Sequence, residues 1–580
     1  MRLLAPSLRL LMAAGILNLS LGWGGAAEAP ELRSTQYGTV VGINDVAASG
    51  TYQWKGIPFA KPPVGSLRWM APVEPEPWPS PRETKHFGLA SVQYGRIYGP
   101  GSHNTYDATI GTTLNQAVGS EDSLTLNIWR PATAAKKLPV INFIYGGSNV
   151  SGYTADPVYD GAALARKANA VVVTANYRVG VFGWFNLPQL RTGTDPEGDS
   201  GNFGTLDQIL VLKFIQRNIA NFGGDPANVT VMGQSAGAVD VYTLLTSPLV
   251  VNARPQLIHK AVALSGGAAL ATELPTGSIP TLKPASATLA QANKLLYSLL
   301  IADGLATDDT SAAAHVATQT NAQVAAYLRA KTPSAIFTQL LGRVAAAGLG
   351  STWHMQDGVV VANSPLAAIN AGSYLKVPIL VGITREETKL FSAFLAQSPA
   401  LGGQPGWIVN DAARFNLMLT FNPETASTLT LQDLINPAYL PVAAPATGYD
   451  ARLAFLNKLF FIPNRDAVLT ALSAKQSSIW CYEFAWAQEP APWKEVYGAA
   501  HAFDLPFVFG NWGPSLFSKV TNSTANKGGR LALSEAMMGS IAAFAGLGDP
   551  NHPLLGVQWP VWPKVLLFDA TLTERKISVR

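Results

Sequence analysis

Six short apolar, β-branched runs alternate with helical stretches along this chain, an order that restricts the fold to a sheet of mainly parallel strands with crossover helices. The runs are Leu138 to Ile144, Ala170 to Ala175, Val229 to Met232, Lys260 to Leu264, Val377 to Ile383 and Ile479 to Phe484. Between the second and third, Leu206, Leu210 and Phe214 recur at helical spacing, and Phe222-Gly223-Gly224 stops the run. Such a sheet is covered on both faces and needs a large core. The 580 residues, 48% hydrophobic and 13% charged, supply that core and exclude disorder as the main state. Residues 281–350 are alanine-rich and helical in pattern, with a capping box at Thr320-Asn321-Ala322-Gln323. They fall between two strands, so they read as an inserted helical cap within one domain spanning 28–580. The proline-rich run Pro72 to Pro81 has Trp69 before it and Trp78 within it, and reads as an ordered surface loop.

Arg2 and Arg9, the apolar stretch Leu10 to Trp23 and the small residues Gly25-Ala26-Ala27 predict a cleavable signal peptide over 1–27, and hence a secreted or periplasmic protein. The stretch, interrupted by Asn18 and Ser20, falls short of the roughly 20 residues that span a bilayer, so no stable membrane anchor is expected. Removing 1–27 takes away Arg2 and Arg9 and no acid, lowering the formal charge from +4 to +2. That balance argues against nucleic acid as a partner. The single cysteine, Cys481, excludes an intramolecular disulfide and lies in an apolar strand-like run, where an inert buried thiol is expected.

The sharpest local signal is Gly233-Gln234-Ser235-Ala236-Gly237, which follows the Val229 run and precedes the helical run Val239 to Leu245. A strand, a tight turn and a helix expose a serine hydroxyl on a strained elbow, and glycines keep Cβ atoms out of the crowded turn. The helix N-terminus aims N–H groups at developing negative charge. Directly after the Leu138 run comes Tyr145-Gly146-Gly147-Ser148, a glycine-rich turn that lets backbone N–H groups approach a substrate oxygen. Together they are two of the three parts of an acyl-transfer site.

At these residues the sequence resembles the type B carboxylesterase and cholinesterase family. Trp54-Lys55-Gly56-Ile57-Pro58-Phe59-Ala60 with Pro62-Pro63-Val64-Gly65 and Leu67-Arg68 is similar to its N-terminal signature, and Ser120-Glu121-Asp122-Ser123-Leu124-Thr125-Leu126-Asn127 to its second. Asn176-Tyr177-Arg178, Gly201-Asn202-Phe203-Gly204, Asp207-Gln208 and Asn218 to Pro226 follow in the family's order. The resemblance implies an α/β-hydrolase fold: a central, mostly parallel twisted sheet flanked by helices, with inserted helical cap segments. It implies a Ser-Glu-His triad, placing the acid at Glu387 in Val381-Gly382-Ile383-Thr384-Arg385-Glu386-Glu387 and the base at His501 in Gly498-Ala499-Ala500-His501-Ala502-Phe503-Asp504. The oxyanion donors are then the N–H groups of Gly147, Ser148 and Ala236, and neither metal nor organic cofactor is called for. The chain departs from the family at Ser123, where a disulfide cysteine is usual, at Gln234, often a glutamate, at Ser148, usually glycine, and at Asp240, usually small and polar.

Chemistry alone narrows the base and leaves the acid more open. In this fold the order is serine, acid, histidine, which removes His86 and His103 and, unless the acid precedes them, His259, His315 and His354; only His501 and His552 lie in the last third, and His552 sits in the turn-rich Gly548 to Pro553 as an exposed loop residue would. Asp357, Glu386, Glu387, Asp411, Asp450 and Asp466 all precede His501, and only Glu386-Glu387 follows directly on an apolar strand. The expected activity is hydrolysis of small-molecule carboxylic esters through an acyl-enzyme. Amides, lactones or polyesters as substrates, and a non-catalytic cholinesterase-like binding domain, are the competing readings.

Overall fold

The computed structural model describes residues 30–580; the leader read at 1–27 lies outside them. An eleven-stranded sheet runs through the molecule. In chain order its strands are β1 (Ile43–Asp45), β2 (Thr51–Pro58), β3 (Thr125–Pro131), β4 (Leu138–Ile144), β5 (Val171–Ala175), β6 (Gly224–Gln234), β7 (Lys260–Leu264), β8 (Ile379–Thr384), β9 (Ile479–Phe484), β10 (Val565–Ala570) and β11 (Arg575–Val579). Across the sheet they lie in the order β11, β10, β9, β8, β7, β6, β4, β5, β3, β2, β1. Neighbours from β5 to β10 pair parallel, whereas β1, β2, β3 and β5 pair antiparallel in series, as do β10 and β11. This is the α/β-hydrolase architecture expected.

The sequence pattern located the six central strands, three of them with the bounds the structure has. It missed the antiparallel flanks. β5, β7 and β8 are buried at every residue, so they read as continuous apolar runs, while β11 is mostly exposed and reads as a polar tail. The helix predicted around Leu206 is Phe203–Asn218; a 3₁₀ turn extends it to Phe222, where Gly223 takes φ 83°. Ala236–Thr246 is the helix after the serine, and all its residues but Ala236 are buried.

The segment 281–350 is helical as expected: Ala285–Ala302, Asp309–Ala317, Asn321–Arg329 and Pro333–Gln339. Thr320 caps the third, accepting from Gln323 N while its own N–H donates to Gln323 Oε1 at 2.8 Å. These helices pack their apolar faces on Trp69, Phe182 and Phe185. Arg68 ties the segment down by donating from Nη1 to Lys331 O at 2.6 Å, while its Nε and Nη2 grip Glu121 at 2.7 and 2.5 Å. The Pro72–Pro81 loop is anchored by Trp78, whose Nε1 donates to Thr39 O at 2.8 Å. Cys481 is fully buried, and burial pushes its thiol up to about 12.

Where the resemblance leads one to expect a disulfide, Ser123 meets Ser91: their buried hydroxyls lie 2.9 Å apart. The hydrogen bond closes the loop between them, and a two-strand ribbon of Gln93–Tyr94 with Ala117–Val118 stiffens it. A hydroxyl pair this close brings the two side chains near enough for a disulfide to be tried at these positions. The Ser91→Cys/Ser123→Cys double variant should form that disulfide under oxidising conditions and gain about 3 kcal/mol, because the closed loop no longer opens on unfolding. Denaturant midpoints with and without reductant measure the gain; equal midpoints would refute the loop closure.

Candidate active site

The parallel register brings the site together before any side chain is considered. Gly233 pairs with Ile144, Gln234 with Leu264, and Leu264 with Gly382. The C-terminal ends of β4, β6, β7 and β8 therefore lie side by side. The loops that leave them carry Gly146 to Asn149, Ser235, Ser265 and Glu387, and ligand sites in open α/β sheets sit at this edge.

Ser235 stands between β6 and the Ala236–Thr246 helix at φ 59° and ψ −123°, a conformation costly for a residue with a side chain. Glycines make the turn possible. A Cβ on Gly233 would sit against Gly237 O, and one on Gly237 against Ile144 O. Ser235 is part-exposed while the β6 residues before it are buried, so the elbow presents the hydroxyl to a pocket. That pocket is lined by Gly147, Ser148, Leu390, Phe391 and His501 as well as Ser235.

Glu387 follows β8 and is fully buried. Its Oε1 accepts from Thr384 N at 2.7 Å and Ser265 Oγ at 2.6 Å, and its Oε2 lies 2.5 Å from His501 Nδ1. Three hydrogen bonds thus fix the carboxylate and one edge of the imidazole. The imidazole ring is flanked by Phe391 and Phe461 at 5.0 and 4.9 Å between ring centres. Its Nε2 lies 3.1 Å from Gln234 Nε2, which can only donate, so in this arrangement the amide holds the position from which the imidazole would serve Ser235 Oγ. Asp504, in the same segment as His501, is buried and its carboxyl is pushed up to about 6 by that burial, against the hydrogen bond from the Tyr482 hydroxyl at 2.7 Å.

The remaining candidate acids are occupied elsewhere. Glu386 accepts from Ala499 N at 2.9 Å and pairs with Lys389 at 2.7 Å, so it is a structural ion pair beside the site. Asp357 caps a turn by accepting from Val361 N at 2.8 Å; Asp411 pairs with Arg414 at 2.7 Å, Asp450 with Lys389 at 3.0 Å and Asp466 with Arg465 at 2.7 Å. His552 differs from the exposed loop residue expected: it is half-buried, with Nε2 2.9 Å from Ala536 O, and burial lowers its pKa. It pins the turn to a helix.

Two residues, Ser265 and His354, were not found from the sequence. Ser265, at φ 57°, is visible only as the first residue after a strand, yet it holds the acid. His354 and Asp240, the departure that had no explanation, explain each other. Asp240 is fully buried, accepts from Asn149 Nδ2 at 2.9 Å and Gln208 Nε2 at 2.6 Å, and lies 2.8 Å from His354 Nε2, close enough for an ion pair though out of line for a hydrogen bond. Since Asn149 ends the Gly146–Gly147–Ser148–Asn149 turn, this buried cluster holds the turn. Ser148 and Asn149 both take positive φ, 59° and 56°, and among the described residues no group accepts from the N–H of Gly147 or Ser148.

His354→Ala removes the imidazole that lies 2.8 Å from the buried Asp240 carboxylate, and loss of one partner of a buried pair should destabilise the fold by about 3–5 kcal/mol. His354→Ala/Asp240→Asn, which removes the charge too, should recover part of the loss. Chemical denaturation measures both, and a single variant as stable as the wild type would show that the pair carries no charge.

Similarity to known proteins agrees with this geometry. Residues 29–576 match the carboxylesterase family. The para-nitrobenzyl esterase of Bacillus subtilis (strain 168) is 30% identical over 548 residues, covering 94% of this chain and 96% of that protein. The fumonisin B1 esterase of Sphingopyxis macrogoltabida is 30% identical over 532 residues, covering 91% and 84%. A solved PNB esterase structure superposes with a TM-score of 0.69 at 26% identity, covering 95% of this chain and 97% of its own. The chain belongs to the carboxylesterase family and is a carboxylic ester hydrolase.

Proposed function

We propose that the chain hydrolyses small-molecule esters through an acyl-enzyme, with Ser235 as nucleophile, His501 as base and then acid, and Glu387 orienting the imidazole. The hydrogen bond from His501 Nδ1 to the buried, fully bonded Glu387 carboxylate carries this reading. It leaves Nε2 unprotonated and turned toward the elbow, as a base for serine must be.

In the first step Ser235 Oγ bonds to the ester carbonyl carbon and its proton passes to His501 Nε2, displacing the Gln234 amide from that nitrogen. The carbonyl oxygen, now negative, is held by the N–H groups of Gly147, Ser148 and Ala236. Ala236 opens its helix, so its N–H has no acceptor within it. Collapse breaks the bond to the alcohol oxygen, which takes the proton from Nε2. Water then repeats the addition at the acyl carbon, gives its proton to His501, and the acid leaves as Ser235 recovers the proton.

Graded 4-nitrophenyl esters, with an organophosphate to label the serine, test the reading. Ser235→Ala and His501→Ala should each lower kcat by roughly 10⁴ to 10⁶, since the triad acts as a unit. Glu387→Gln should cost far more than Glu386→Gln, whose side chain supports Lys389 and a loop amide. A His501→Ala enzyme that kept its rate, or labelling at another residue, would refute the assignment.

Ser148 bears on the size of the alcohol. It is exposed in the pocket, so its Cβ and hydroxyl take space that glycine would leave, and its φ of 59° is one that glycine adopts at little cost. Ser148→Gly should raise the ratio of tert-butyl to n-butyl acetate hydrolysis. An unchanged ratio counts against a steric role, and a fall in both rates by roughly 10² would mark the hydroxyl itself as an oxyanion donor.

A further inference from the structure

The pocket that Ser235 and His501 share has one ionic residue on its wall besides the histidine: Arg96. Leu390, Phe391 and Phe517 supply apolar wall, Ser148, Gln234 and the tyrosines Tyr98 and Tyr159 neutral polar groups, and among the described residues no carboxylate lines the pocket. The guanidinium of Arg96 lies over the Tyr98 ring, 5.3 Å from its centre, and Tyr98 in turn is stacked on Phe517. Among the described residues its side chain has neither a hydrogen bond nor an acidic partner. Three buried arginines each have an acid, Arg68 with Glu121, Arg178 with Asp207 and Arg414 with Asp411, whereas Arg530, like Arg96, lies over an aromatic ring without one, but away from this pocket.

The placement of Arg96 is built. It sits on the loop closed by Ser91 and Ser123, and Gln93 clamps that loop to the turn beside the elbow. Gln93 Oε1 accepts from Gly152 N at 2.9 Å and its Nε2 donates to Gly152 O at 2.9 Å. Stacking on an aromatic face leaves the edge of a guanidinium free, and that edge matches a carboxylate through two parallel N–H bonds. An anion entering the pocket meets this cation with no lining carboxylate to compete for it, away from the full screening of bulk water.

We infer that the enzyme's preferred substrates are anionic esters, in which an apolar spacer separates the scissile carbonyl from a carboxylate that pairs with Arg96. The inference rests on the ester hydrolysis proposed above and adds the substrate class. Of the neutral esters and their anionic counterparts, the second should be turned over faster although the ester being cleaved is the same.

The test compares kcat/KM for monoethyl dicarboxylates, from succinate to suberate, with the neutral ethyl alkanoates of equal length. A second arm places the charge on the alcohol, comparing acetylated ω-hydroxyalkanoates with alkyl acetates. The arm that responds tells which side of the ester faces Arg96. In one arm the charged member should lead its neutral partner by about tenfold. Arg96→Gln should lower that ratio by about tenfold, Arg96→Glu should invert it, and Arg96→Lys should keep part of it. In the wild type alone, raising sodium chloride from about 20 mM to about 500 mM should shrink the ratio, a readout that needs no variant to fold. A ratio near one in both arms, or one that neither salt nor Arg96→Gln moves, overturns the inference while leaving ester hydrolysis intact. Failure to cleave 4-nitrophenyl butyrate in the same experiment is the distinct outcome that overturns the parent reading, and the inference with it.

Discussion

The site depends on how closely three backbones approach one another where β4 and β6 end. Gly237 leaves no room for a Cβ against the Ile144 carbonyl, Gly233 none against Gly237, and a Cβ on Gly146 would meet that of Ser235 at 2.7 Å. Because the chains can touch, the oxyanion turn and the elbow share one pocket. The non-glycine residues Ser148, Asn149, Ser235 and Ser265 all take positive φ here. Strain of that kind costs of order 1–3 kcal/mol per residue and persists only where the surroundings over-determine it. The over-determination comes from the buried parallel sheet, whose register leaves the strand ends nowhere else to go.

A second layer of polar groups extends that control outward. Arg178 donates to both oxygens of Asp207 at 2.9 and 2.7 Å, deep in the interior, and Asp207 accepts the Arg178 N–H as well. Asn202 reaches Met355 through both its amide atoms, which positions the segment bearing His354. Buried ion pairs of this sort add little net stability compared with apolar packing, because desolvation offsets attraction. Their value is geometric: each can be satisfied in one arrangement only. That accounts for a run of motifs, Asn176-Tyr177-Arg178, Gly201-Asn202 and Asp207-Gln208, that never touches the pocket.

The sequence was legible where a single segment holds the whole signal. The elbow is such a case, since strand, glycines and helix lie within one short stretch, and the runs at β4, β7 and β9 are others. Pairwise signals across the chain were not legible. Ser265 meets Glu387 across 122 positions and Asn149 meets Asp240 across 91, and nothing near either residue announces the partner. Asp240 looked anomalous because its partners Asn149, Gln208 and His354 were elsewhere in the sequence. His552 misled in the opposite direction: proline, glycine and asparagine around it mark a turn, and turns are commonly exposed, but this one folds back on a helix and buries its histidine. Of the flanking strands missed, β11 is exposed on both faces, which removes the apolar alternation by which a strand is recognised, whereas β3 and β10 bury most or alternate residues and were missed in spite of that pattern.

The surroundings of His501 bear on what moves during turnover. Its Nδ1 edge is immobile, because Glu387 is itself held by Ser265, Thr384 and the histidine, and the ring is packed between Phe391 and Phe461. The Nε2 edge faces one neutral amide, Gln234, on the residue next to the nucleophile. A glutamate there would place a second carboxylate beside the imidazole and favour its protonated form. Glutamine offers a donor instead, which keeps Nε2 as an acceptor and adds no charge to the pocket. The positive charge of Arg96 is then unopposed by any lining residue. Under the inference drawn above, the neutral amide at 234 and the guanidinium at 96 act in one electrostatic direction, toward an anionic ester and away from a cationic one.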